Sequence, residues 1–138
     1  STPSLKIKTI YFITSIPNPG FATMQRDTLF LLKEDFPDGP GLPYYCPDCA
    51  QITGVLSYFP KLRHQLDIRY VDFQRPRQEI VKLLGESHQG CPVLILAAPP
   101  AMDALELLSG QVNGHCFISG AKAIGNYWAH VHGISRPH

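Results

Sequence analysis

The sequence predicts an α/β domain in which a mixed four-stranded sheet carries helices on both faces. Three observations predict it. Apolar segments switch repeatedly between short strand-like runs and 3.6-residue periodicity. The stretch Cys46-Pro47-Asp48-Cys49 falls where the first strand gives way to the first helix. A second cysteine–proline step, Cys91-Pro92, opens the third strand. A chain of 138 residues is one domain by length, and large enough to bury a core without disulfide staples.

Residues 24–138 are assigned to this domain and residues 1–23 to an N-terminal extension, weakly ordered or an edge strand. Leu5 to Ile16 has strand character, and Pro17-Asn18-Pro19-Gly20 ends it. Thr28 to Lys33 is a continuous apolar run, as expected of a strand buried on both faces. Glu34 to Pro43 holds three prolines and two glycines and must be a loop. From Cys49 to Phe59 the apolar positions Ile52, Val55, Leu56 and Phe59 fall on one helical face, and Pro60 stops the helix. Gly54 inside it costs about 1 kcal/mol against alanine, which marks a point of close packing.

Leu66 to Phe73 alternates and reads as the second strand. Gln78 to Leu84 is a short helix ended by Gly85. Val93 to Ala97 is the third strand and Pro99-Pro100 ends it. Ala101 to Leu108 forms a helical turn or two within an insertion of about 17 residues between strands three and four, and Asn113-Gly114 is a turn signal. His115 to Ile118 is the fourth strand. The last helix runs from Gly120 to His132, with Ala121, Ile124, Trp128 and Val131 along one side and Gly133 as its cap. A strand–helix–strand unit, then a hairpin and a final helix, describes a thioredoxin-like domain.

Composition excludes several classes. With 44% hydrophobic and 17% charged residues the chain is globular rather than disordered. A net charge of +1 gives no basic excess for nucleic acid. No apolar run approaches the roughly 20 residues of a membrane helix. Ile7 to Ile16, behind Lys6 and Lys8, faintly resembles an export signal but lacks an Ala-x-Ala-like site. Four cysteines in one close pair and two singletons do not make a secreted disulfide scaffold. They suit a reducing compartment, hence the cytoplasm, where such a pair is catalytic or metal-binding.

The chemistry concentrates at Cys46. At a helix N-terminus its sulfur meets unpaired N–H groups and the positive end of the helix dipole, which favours the thiolate nucleophile. Pro47 suits the first helical position. Cys49, one turn on, is the resolving thiol. The charge of Asp48 opposes thiolate formation nearby. Tyr45, directly before Cys46, is a candidate substrate contact. Arg75 and Arg77 flank a turn at the end of strand two, where open α/β sheets bind ligands; they either pair with a carboxylate or form a solvated turn. Ser119-Gly120 opens the final helix and is positioned to cap it. Cys116 packs in the sheet, and none of the six histidines is assigned a catalytic role.

These stretches carry a family resemblance. Tyr45-Cys46-Pro47-Asp48-Cys49, Leu56-Ser57-Tyr58-Phe59-Pro60, Asp67 to Phe73, Arg75-Pro76-Arg77, Cys91-Pro92-Val93-Leu94 and Arg136-Pro137-His138 resemble an uncharacterised bacterial family, a domain of unknown function with a thioredoxin/glutaredoxin-like fold. The resemblance to glutaredoxins implies a redox Cys-Pro-x-Cys site, a cis peptide at Pro92 and a glutathione-shaped groove. It also implies that Pro92 shapes the substrate site, that Cys91 faces the dithiol, and that Ser119 receives a γ-glutamyl carboxylate. Asp48 stands where glutaredoxins usually carry an aromatic residue.

Three functional expectations follow. The first is a thiol–disulfide oxidoreductase using Cys46 and Cys49, with a disulfide-containing protein or glutathione as partner and no cofactor beyond glutathione as co-substrate. The second is a metal-binding module in which Cys46, Cys49 and Cys91 hold zinc or an iron–sulfur cluster with a fourth ligand. The third is a non-catalytic binding domain that keeps the fold alone. For Cys91 itself, a small buried hydrophobe and a third working sulfur both remain open.

Overall fold

The computed structural model describes residues 24–138; the extension assigned to residues 1–23 lies outside them. The elements in chain order are strand β1 (Asp27–Leu32), helix α1 (Pro47–Tyr58), helix α2 (Pro60–Arg63), strand β2 (Leu66–Val71), helix α3 (Gln78–Leu84), strand β3 (Val93–Ile95), a 3-10 helix (Met102–Leu107), strands β4 (Gly110–Val112) and β5 (His115–Ser119), and helix α4 (Ala121–His132). They form one open five-stranded sheet in the order β2-β1-β3-β5-β4. β1 and β2 are parallel, and the other pairs are antiparallel.

The sheet therefore has five strands rather than the expected four. The additional strand, β4, lies in the segment read as an insertion, and its helical part is 3-10 rather than α-helical. Gly110-Gln111-Val112 has one large apolar residue and no alternation to announce it. It forms because Asn113 and Gly114 both adopt positive φ, 52° and 79°. That two-residue turn folds the chain back so that Gln111 pairs with Cys116.

β1 is an interior strand, and its continuous apolar run is explained by burial on both faces. Leu29 and Leu31 enter one core cluster, with Ile52 and Leu56 of α1 and Ile124 and Trp128 of α4. Phe30 points the other way, to a cluster with Ile80 and Leu84 of α3 and Val93, Ile95 and Phe117 of the sheet. Helices thus cover both faces: α1 and α4 one, α3 the other. The lone tryptophan, Trp128, is completely enclosed.

Smaller departures have local causes. Pro60 does more than stop α1; it occupies the first turn of α2, where proline fits. Gly54 does not mark close packing, since a Cβ there would meet nothing within 4 Å. Val131 is exposed rather than aligned with Trp128, and Gly125 and Tyr127 take the buried side of α4. Gly125 is the helical glycine that does pack closely: a Cβ would lie 2.9 Å from Cγ of Pro137, in the returning tail. Gly133 ends α4 with φ at 70°, as expected of a helix C-cap. No helix among the described residues is long and apolar enough to cross a membrane.

Candidate functional site

The site lies where β1 ends. After Leu32 the chain makes an excursion that closes on itself through a Phe36–Tyr44 bridge, with N–O distances of 3.0 and 2.8 Å. Phe36 stacks flat on Phe73 beyond β2, centroids 4.2 Å apart and planes 4° apart. This stack ties the excursion to the adjacent strand end and returns the chain to Cys46. Tyr45 is left exposed at the approach.

Cys46 is the N-cap of α1. Its backbone is extended, with φ at −80° and ψ at 115°. Its sulfur accepts the Cys49 N–H at 3.1 Å, doing what a serine or aspartate oxygen does at other helix starts. Pro47 fills the first turn, where its missing N–H costs nothing. The Cys46 thiol also points at the Cys91 carbonyl oxygen, 3.9 Å away. Asp48 is exposed on the first turn.

Cys49 sits behind, buried, and its sulfur accepts the N–H of Leu32 at 3.4 Å. Burial pushes this thiol far above its ordinary range. The hydrogen bond and charge of Cys46 and the nearby Cys91 add to the effect, and the Leu32 N–H opposes it. The two thiols are therefore differentiated: one caps the helix at the surface, and the other waits in the core as a protonated thiol.

Cys91 is half-buried, and its peptide bond to the buried Pro92 is cis. Burial pushes its thiol up to about 11; the charges of Arg77 and Arg75 pull it down, and Cys46 pushes it up. Arg75 is exposed and its bond to Pro76 is also cis. Arg77 is not part of a solvated turn: it is 7% exposed. Its Nε and Nη2 donate to the Phe73 carbonyl at 3.1 and 2.6 Å, and its Nη1 donates to the Gln89 carbonyl at 2.7 Å. Gln89 answers by accepting the Arg77 backbone N–H through Oε1 at 2.7 Å. This clasp fixes the segment that delivers Cys91. Sequence reading missed it, because nothing near Gln89 signals a buried partner for an arginine 12 residues earlier.

Cys46, Cys49, Cys91 and Pro92 thus come together, with Arg75 and Arg77 beside Cys91. Ser119 does not join them. It pairs with Val93 and lines a cavity of about 270 Å³ on the α3 face with Ser87, His88 and Gly90. It does not cap α4 either, whose N-cap is Gly120 without a side-chain bond. Cys116 is buried in β5, and burial alone raises its thiol. Among the described residues, no group of three or more His, Cys, Asp or Glu side chains is placed to hold a metal ion.

No curated protein and no solved structure matches the chain. A family model does match, over residues 26–136, a span that contains all four cysteines and every strand described above but for no part of the first 23 residues. The chain belongs to that family, described as "Protein of unknown function (DUF3088)".

Proposed function

We propose that this protein is a thioredoxin-like thiol–disulfide oxidoreductase of the cytoplasm, acting on a disulfide of a protein or of glutathione. The observation that carries the reading is the division of labour at the helix start. Cys46 sulfur holds the N-cap position of α1 and accepts the Cys49 N–H. Cys49 lies one turn behind it, buried. The chain order supports the fold reading: a parallel β1–β2 pair joined through α1, then antiparallel β3 and β5, then a helix.

In the proposed reaction the Cys46 thiolate attacks one sulfur of the substrate disulfide. A bond forms to Cys46, and the other substrate sulfur leaves as a thiolate. Cys49 then loses its proton to solvent or to the departing thiolate and attacks the Cys46 sulfur. The second substrate thiolate leaves and a Cys46–Cys49 disulfide remains. Two electrons have passed from protein to substrate, and an external thiol restores the dithiol. Pro92, buried beside the pair, walls the site on the β3 side.

The test is reduction of a small disulfide, bis(2-hydroxyethyl) disulfide, coupled to a thiol reductant. Cys46→Ser is expected to bring the rate down to that of uncatalysed exchange. An unchanged rate in that variant ends the proposal.

A further inference from the structure

The exchange above leaves two thiols unused, Cys91 and Cys116, and only Cys91 packs near the helix start. Cys91 packs against the same apolar cluster as Cys46 and Cys49, and against the cluster on the opposite face as well. Its carbonyl oxygen is 3.9 Å from the Cys46 sulfur. The charge of Cys46 acts on both Cys49 and Cys91, and that of Cys91 acts on Cys49. The three thiols therefore occupy one site.

Cys91 is also the best supplied of the buried thiols with positive charge. Arg77 is buried and held by three hydrogen bonds to two carbonyls, so its guanidinium is a fixed cation. Its charge and that of Arg75 act on Cys91. Among the described residues, no cation acts on Cys49 or Cys116 in this way. Burial raises both thiols, and at Cys91 the two guanidinium charges oppose it. Cys91 is half-buried, whereas Cys49 is 5% exposed.

We infer that Cys91 is a second resolving thiol, able to close the Cys46 mixed disulfide when Cys49 does not. This rests on the oxidoreductase reading. The Cys91 thiolate attacks the Cys46 sulfur of the mixed disulfide, and a Cys46–Cys91 bond forms. The bond from Cys46 to the substrate sulfur breaks, and the substrate departs as a thiolate. The substrate disulfide is the oxidant, and the Cys91 proton goes to solvent. A thiol such as glutathione would reopen the new disulfide. The dithiol is thus one of two exits from the same intermediate.

The experiment treats reduced protein, freed of reductant, with one equivalent of 5,5′-dithiobis(2-nitrobenzoate). Wild type is expected to release two thionitrobenzoates and to yield a Cys46–Cys49 link on peptide mapping. Cys49→Ser is expected to release two as well, now with a Cys46–Cys91 link. Cys49→Ser/Cys91→Ser is expected to stop at one release and retain the adduct on Cys46. If Cys49→Ser also stops at one release, or links Cys46 to Cys116, the inference is overturned while the dithiol reading stands. If wild type itself forms no Cys46–Cys49 link, the dithiol reading falls and takes the inference with it.

Discussion

Arg77 shows how a single side chain can be decisive and yet silent in the sequence. On the chain it reads as half of Arg75-Pro76-Arg77, a turn with two positive charges. In the fold its guanidinium bridges the carbonyls of Phe73 and Gln89 and lies over the Phe73 ring at 5.5 Å. Burying an arginine is tolerable only when its donors are met, and here the acceptors are backbone atoms that no side-chain pattern reports. Removing the guanidinium strands two carbonyls in a buried place. Arg77→Met is expected to cost about 3 kcal/mol, read as a lower urea midpoint with an unchanged slope. A loss under about 0.5 kcal/mol, the range of an ordinary surface change, would contradict the clasp. Cys46 and Cys49 were legible for the opposite reason: helix start, proline and spacing are all local signals. The gathering of Cys91 beside them was implied by the family resemblance and not by anything adjacent in the chain.

At the scale of elements, the two long helices carry one glycine each that can be compared. Gly54 in α1 faces open space, so its flexibility is uncompensated by packing. Gly54→Ala is expected to raise stability by about 1 kcal/mol, the helix-propensity difference. Gly125 in α4 is different, because Pro137 closes over it at 2.9 Å. Gly125→Ala gains the same propensity but must displace the tail, so it is expected to give no such increase. Urea denaturation of both variants checks the contrast, and an equal gain from both would refute it. The helices themselves were legible because three or four apolar positions repeat on one face. β4 was not, because it is three residues long and its existence depends on the turn that follows and on β5 across from it.

Across the whole molecule, the two ends of β1 have opposite characters. Its last residue donates to the Cys49 sulfur. Its first, Asp27, accepts the Ala97 N–H through Oδ1 at 2.8 Å and so ties β1 to the chain leaving β3. Burial raises the Asp27 carboxyl above its ordinary 3.8, and the Ala97 N–H and the charge of His132 only partly oppose this. The folded state therefore holds this proton more tightly than the unfolded chain does. The resulting stabilisation is fully present below the unfolded value and is lost as pH rises through the folded one. Asp27→Asn keeps an acceptor for Ala97 and removes the ionisation. It is expected to melt at a higher temperature than wild type at pH 7, with the difference shrinking towards pH 3; a lower melting temperature at pH 7 would count against it. The general layout, one domain with a sheet covered on both faces, was legible from the apolar periodicity. The sheet order was not, since strand pairing depends on contacts between segments far apart in the chain.

The enclosure of Trp128 has an optical consequence. It is the chain's lone tryptophan, and no part of it reaches water. An indole in such surroundings emits at the blue end of its range and moves to the red when solvent arrives. Trp128 shares a packed cluster with Cys49 and Cys116, so its emission reports on the interior that backs the dithiol without any added label.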